Sequence, residues 1–303
     1  MKNRRVWIMI MAMVLAVFYG CGSQADKVQD TAEDIGRILT ADADEMDAQE
    51  GLADEPIVLD FVDAYGETHQ MKVNPNVAPN VYDKKAFVHN GSGMSYGGED
   101  YNYRLGIDVS HYQGEIDWEK VKASGIEFVF IRLGYRGYGE EGVLKEDTNF
   151  EKNIQGARSA GLDVGVYFFA QAVNEKEAIE EAQFVLDSLL EYNLQMPVVY
   201  DPESILHEEA RTDHVTGEQF TKNTKAFCET IEEAGYDAMI YCNMLWQADK
   251  LDLTELSEYP IWYADYEAYP QTPYHFDIWQ YSSEGTVDGI QGNVDLNIQM
   301  IKK

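Results

Sequence analysis

From residue 104 onward, short apolar runs rich in Val, Ile, Phe and Tyr alternate with longer segments whose apolar residues recur at helical spacing. A strand that joins a parallel neighbour needs a crossover of a dozen or more residues, usually a helix. The alternation therefore predicts a βα-repeat fold on a parallel sheet. Strands are expected at 105–109, 127–133, 162–170, in the run from Pro197, and at 236–242. Later ones are Ile261-Trp262-Tyr263-Ala264, Phe276-Asp277-Ile278-Trp279-Gln280-Tyr281 and 294–301. Helices are expected at 116–124, at 149–160, from Asn174 to about 192, and from Thr216 to Gly235. Asn174 with Glu177, and Thr216 with Gln219, are N-terminal capping patterns, while Gly125, Gly161 and Gly235 act as stops. Helix signals fade after 250, so the second half of such a barrel should be short of helices.

The run Pro197-Val198-Val199-Tyr200-Asp201-Pro202-Glu203 ends in two carboxylates two residues apart. On a strand, residues i and i+2 share a face, which sets Asp201 and Glu203 side by side at roughly 6–7 Å between Cα atoms. The C-terminal ends of barrel strands are where parallel α/β barrels keep their chemistry. Paired carboxylates flanking a bond suit glycoside hydrolysis, one protonated as acid and one ionised against positive charge at the sugar carbon. Taken alone, D-x-E is a weak motif and is more often simply an acidic strand terminus.

The chain has 303 residues, 45% hydrophobic and 12% aromatic with 20 Tyr, which suits one large barrel or two ordinary domains. Its net charge of -31, from 23 Lys+Arg against 54 Asp+Glu, argues against a nucleic-acid partner and against adsorption to anionic lipid. Any membrane attachment must then be hydrophobic or covalent. Three cysteines are too few for a disulfide framework, and Cys228 and Cys242 are expected as buried free thiols or one bridge.

Residues 1–21 read as an export signal: Lys2, Arg4 and Arg5 precede an apolar run too short for a comfortable membrane span. The run ends in Phe18-Tyr19-Gly20-Cys21-Gly22-Ser23, which resembles a bacterial lipobox with Cys21 as the lipid-modified first residue of the mature protein. That predicts an extracytoplasmic protein anchored to the membrane through lipid. Residues 22–55, dense in Asp and Glu with only Lys27 and Arg37 opposing them, are expected as a disordered acidic tether. Residues 56–73 read as two short strands around a turn, an accessory β-hairpin, with an irregular connector running on to 103.

Further motifs mark the strand ends in chain order. They are Gly106-Ile107-Asp108-Val109-Ser110-His111-Tyr112-Gln113-Gly114 with Ile116-Asp117-Trp118, then Phe130-Ile131-Arg132, then Gly165-Val166-Tyr167-Phe168-Phe169. The D-x-E follows, then Trp262-Tyr263-Ala264, Trp279-Gln280-Tyr281 and Gly292-Asn293-Val294-Asp295-Leu296-Asn297. Together, spanning about 104–300, they resemble the glycoside hydrolase family 25 lysozymes. The resemblance implies an α/β fold, an irregular flattened (β/α) barrel of TIM-like type over 104–303, with the N-terminal hairpin as an extension. It further implies an N-acetylmuramidase that cuts the β-1,4 bond after N-acetylmuramic acid in peptidoglycan glycan strands, with no metal or other cofactor.

By the same resemblance Glu203 matches the general acid, Asp201 its partner carboxylate, and Asp108 and Asp295 two further acids at the barrel mouth. Tyr167, Tyr263, Trp262, Trp279, Gln280 and Asp265 are the expected substrate-binding residues, although core packing is an equal reading for Trp262 and Trp279. Phe168 stands where many members carry His, a departure that bears on a subsite, whereas Pro202 should point away from the mouth. Asp108 can instead cap the loop after its strand, and Arg132 can pair with a mouth carboxylate or with the rim. Crowded carboxylates repel, so at least one pKa should rise. The six histidines show neither H-x-H nor H-E-x-x-H spacing, which counts against a catalytic metal. A monomeric muramidase is the leading expectation. A glycan-binding barrel that does not cut, and a metal-dependent hydrolase of the same polymer, are the competing classes.

Overall fold

A computed structural model of the chain describes residues 56–303 apart from 92, 206 and 207. The expected signal peptide, Cys21 and the acidic tether lie outside the described residues. Eight strands close a barrel. In chain order they are β5 (Tyr101–Val109), β6 (Phe128–Arg136), β8 (Asp163–Ala170), β9 (Val198–Pro202), β10 (Ala238–Asn243), β11 (Ile261–Ala264), β12 (Ile278–Gly285) and β13 (Val294–Lys302). Seven run parallel, and β13 enters antiparallel between β12 and β5; the β5–β6 pairing completes the ring. A short strand, β7 (Leu144–Glu146), pairs antiparallel with the end of β6.

Strand periodicity divides each strand between interior and outer layer. Phe128, Phe130, Val199, Met239, Trp262 and Ile278 fill the barrel. Gly106 and Gly165 make room for them, since a Cβ at either position would stand 2.3 Å and 2.5 Å from the Phe128 and Phe130 rings. On the outside, α1 (Trp118–Ala123), α2 (Phe150–Ser159), α3 (Glu175–Leu189), α4 (Gly217–Glu233) and α5 (Met244–Asp249) follow the first strands. Phe168 on β8 meets Phe184 on α3, and Tyr200 on β9 meets Phe227 on α4. The predicted caps form: Asn174 accepts from Glu177 N at 3.0 Å and Thr216 from Gln219 N at 3.2 Å.

After α5 no described residue is helical, and the N-terminal segment covers the outer face instead. The accessory hairpin is present as β1 (Val58–Val62) and β2 (Thr68–Lys72). The expected irregular connector differs, because it holds a second hairpin, β3 (Phe87–Asn90) and β4 (Gly93–Tyr96). Asn90-Gly91, with Gly91 at φ 67°, is a turn signal that marks it. Phe87 packs edge-on against Trp279 of β12, and the Tyr82 hydroxyl donates to Phe276 O at 2.6 Å. Cys228 and Cys242 are buried free thiols.

Candidate active site

Continuing the inward alternation of β9 past Val199 brings Asp201 and then Glu203 to the C-terminal mouth of the barrel. On β5 the inward residue at the mouth is Asp108. Because β13 runs antiparallel, its first residues lie at the same end, and Asp295 stands in register opposite Asp108. Asp108, Asp201, Glu203 and Asp295 therefore line one cavity of about 930 Å³, with Tyr167, Trp262 and Gln280 also in its wall.

The acids are held in unlike settings. Asp108 is buried, and its Oδ2 accepts from Gln280 Nε2 at 2.9 Å and Asn297 Nδ2 at 2.8 Å. Burial pushes its pKa up to about 6 against those two donors. Both donors are themselves fixed: Trp262 Nε1 donates to Asn297 Oδ1 at 2.7 Å, while the Tyr241 and Tyr266 hydroxyls donate to Gln280 Oε1 at 3.0 and 2.9 Å. Glu203 is pushed up to about 7 by burial and by the charge of Asp108. Asp295 goes up to about 9 through burial and then the charges of Asp108 and Glu203.

Asp201 is buried and stands well above the usual carboxylate range, first through burial and then through Glu203 and Asp108, with Arg132 opposing. Its Oδ1 has no hydrogen-bond partner in the protein. Four carboxylates in one poorly solvated mouth cannot all ionise together, so the site keeps protons at neutral pH. A retained proton beside a potential carboxylate is what acid catalysis at a glycosidic bond requires.

Several expected substrate contacts are corrected by the same alternation. Trp262 and Tyr167 face the cavity, but their neighbours Tyr263 and Phe168 cannot share that face. Tyr263 is fully buried in the outer layer, where it stacks on Phe276 and donates to Asp265 Oδ2 at 2.7 Å. Trp279 is fully buried under Phe87, and its Nε1 donates to Asp265 O at 2.7 Å. Asp265 has its carboxylate committed to Tyr263, Glu267 N and Gln271, so it braces the rim. Gln280 reaches the cavity, where it serves Asp108. Phe168, packed on α3, leaves the mouth untouched.

Arg132 pairs with none of the four acids. It meets the fully buried Asp147 carboxylate at 2.7 Å, which His111 Nδ1 also contacts at 3.0 Å. Asn297, Tyr241 and Tyr266 were not picked out from the sequence. Asn297 was legible in principle, since it stands two residues from Asp295 on the same face of β13.

Residues 107–290 match the sequence pattern of Glycosyl hydrolases family 25. The chain belongs to this family. Among curated relatives, the autolytic lysozyme of Clostridium acetobutylicum is 28% identical over 193 residues, covering 63% of this chain and 54% of that one. Among solved structures, the modular autolysin LytC from Streptococcus pneumoniae, in complex with a synthetic peptidoglycan ligand, superposes with a TM-score of 0.58. That match has 26% identity and covers 79% of this chain and 56% of the other. The chain thus spans about half the length of these two relatives. A family 25 glycosyl hydrolase from Bacillus anthracis shares the fold, with a TM-score of 0.55 at 21% identity over 70% of this chain and 94% of that one. The family 25 region contains Asp108, Asp201 and Glu203, whereas Asp295 and both N-terminal hairpins lie outside it.

Proposed function

We propose that this protein is an N-acetylmuramidase that hydrolyses the β-1,4 bond between N-acetylmuramic acid and N-acetylglucosamine in peptidoglycan. The observation that carries the reading is the Asp201–Glu203 pair at the barrel mouth: Glu203 is held near pKa 7, and Asp201 Oδ1 lacks a partner beside it. Glu203 protonates the leaving C4 oxygen as the bond from the anomeric carbon to that oxygen breaks. The carbonyl oxygen of the muramic 2-acetamido group bonds to the anomeric carbon, and its N–H donates to Asp201 Oδ1. Water then attacks the anomeric carbon and gives its proton to the Glu203 carboxylate, restoring the acetamide and retaining configuration. The reaction needs the proton on Glu203 and the charge on Asp201. An amide donor to Asp201 favours that division, because a hydrogen bond to a carboxylate stabilises its ionised form.

Digestion of peptidoglycan with the purified protein, followed by mass spectrometry of the new reducing ends, tests the reading. Muramic acid at those ends supports it. Binding without new ends would identify a glycan-holding barrel instead. Proton NMR of the first-formed anomer should show retention, and Asp201→Asn should slow turnover heavily without trapping a glycosyl-enzyme. An inverted product would exclude participation by the acetamido group. For location, the signal-like N-terminus and Cys21 support a lipid-anchored protein outside the cytoplasmic membrane, tethered through the acidic segment. The catalytic unit is read as a monomer spanning 104–303.

A further inference from the structure

The β1–β2 hairpin lies outside the family match, yet its tip reaches the candidate active site. Residues 62–65 share a second cavity, about 170 Å³, with Glu203, Tyr241 and Tyr266, and those same three residues also line the large cavity. The two spaces therefore meet at the wall that carries the acid. Asp108, Asp201 and Asp295 line only the larger one. The smaller space thus adjoins Glu203 and not the three aspartates, which on the muramidase reading is the leaving-group side.

The tip is built to hold its shape. One Asp63 carboxylate oxygen accepts from Tyr65 N and Glu67 N, both at 2.9 Å, and the other meets His69 Nε2 at 2.9 Å. Gly66 takes the left-handed φ of 81° that the turn requires. At its base, the Gln271 side-chain amide donates to Val62 O and accepts from Val62 N, both at 2.8 Å, while Gln271 N donates to Asp265 Oδ2. Asp265 follows directly on β11, so the tip is registered to the barrel mouth. On this fixed loop Tyr65 leaves 69% of its surface in solvent. An exposed aromatic ring on an ordered loop beside a cavity lined by apolar Ala64, Leu245 and Ala264 and by polar Asn243 and Glu203 matches a pyranose. The C–H face of a sugar stacks on the ring, and its hydroxyls meet the polar groups.

We propose that the hairpin tip forms an additional sugar subsite on the leaving-group side of the scissile bond, with Tyr65 as its stacking platform. The proposal rests on the muramidase reading, and it names a specificity element that this chain adds to the family 25 region. The test compares kcat/KM on a tetrasaccharide and an octasaccharide of alternating N-acetylglucosamine and N-acetylmuramic acid, using the full chain. Tyr65→Ala should lower the octasaccharide-to-tetrasaccharide ratio about threefold to tenfold, and Tyr65→Trp should restore it. A ratio equal to wild type in Tyr65→Ala would overturn the proposal. Binding separates this outcome from failure of the muramidase reading. Calorimetry of Glu203→Gln against Glu203→Gln/Tyr65→Ala with the octasaccharide should show the same threefold to tenfold loss, whether or not wild type cuts. Equal affinities would overturn the subsite on their own.

Discussion

In the proposed mechanism Glu203 has to hold its proton while a bond breaks, and its surroundings decide at which pH it can. Burial and the Asp108 charge bring it to about 7, so the protonated fraction falls about tenfold for each pH unit above that value. The expected outcome is a basic limb in kcat/KM with a midpoint near 7 on soluble glycan oligomers. Glu203→Gln should abolish that limb and lower kcat by about 10²–10⁴, while glycan affinity is largely kept, because the acid acts in the transition state. A limb that persists in Glu203→Gln would assign the proton to another group. The same scale shows where reading the sequence succeeded and where it failed. The i, i+2 rule placed Asp201 and Glu203 together, and the same rule excludes Tyr263 once Trp262 faces the cavity, and Trp279 once Gln280 does. Tyr263 and Trp279, expected to bind substrate, are fully buried in the outer layer, as strand periodicity alone assigns them.

At the scale of elements, the antiparallel β13 is what makes the mouth. It brings Asp295 and Asn297 from near the end of the chain onto the face occupied by Asp108, near the start of the barrel. Local sequence carries no sign of strand direction, so this juxtaposition was legible only through the motif that ends in Asn297. Asn297 links Trp262 to Asp108 within the closed barrel. Asn297→Leu leaves the Trp262 indole N–H and an Asp108 oxygen each short of a partner, which should cost roughly 1–3 kcal/mol in urea unfolding. Adding Trp262→Phe removes the orphaned donor and should recover part of that loss, and strict additivity of the two substitutions would contradict the link. The hairpins show a different limit. The absence of helices after 250 was readable, but what covers the bare face was not. Phe87, Met94 and Tyr96 are too few, around a Gly/Ser-rich turn, to announce a strand pair that shields Trp279.

Across the whole molecule, the charge of -31 leaves little for an anionic surface to attract, so in the proposed lipid-anchored form retention at a membrane rests on Cys21. Cys21→Ala should release the protein to the medium or leave it unprocessed; unchanged detergent-phase partitioning with the signal still cleaved would remove the lipid from the proposal. Stability couples to pH through the crowded mouth. Asp108 at about 6 and Asp295 at about 9 both sit above their unfolded value of about 4, so the folded state binds protons more tightly than the unfolded chain between those limits. Their stabilising effect is complete below about pH 4 and is lost as pH rises through about 6 and then about 9. Asp147 works the other way. Despite its burial, hydrogen bonds from Asn149 N, Arg132 and His111 N hold it below the usual range, so its contribution is present above about pH 4 and lost as pH falls. The melting temperature should therefore peak in mildly acidic buffer and decline toward about pH 9. Asp108→Asn, at a buried position, should flatten the first part of that decline by roughly 1–2 kcal/mol, and Asp295→Asn the later part. A melting temperature that rises steadily from about pH 5 to about pH 9 would show that the four acids do not share one poorly solvated mouth.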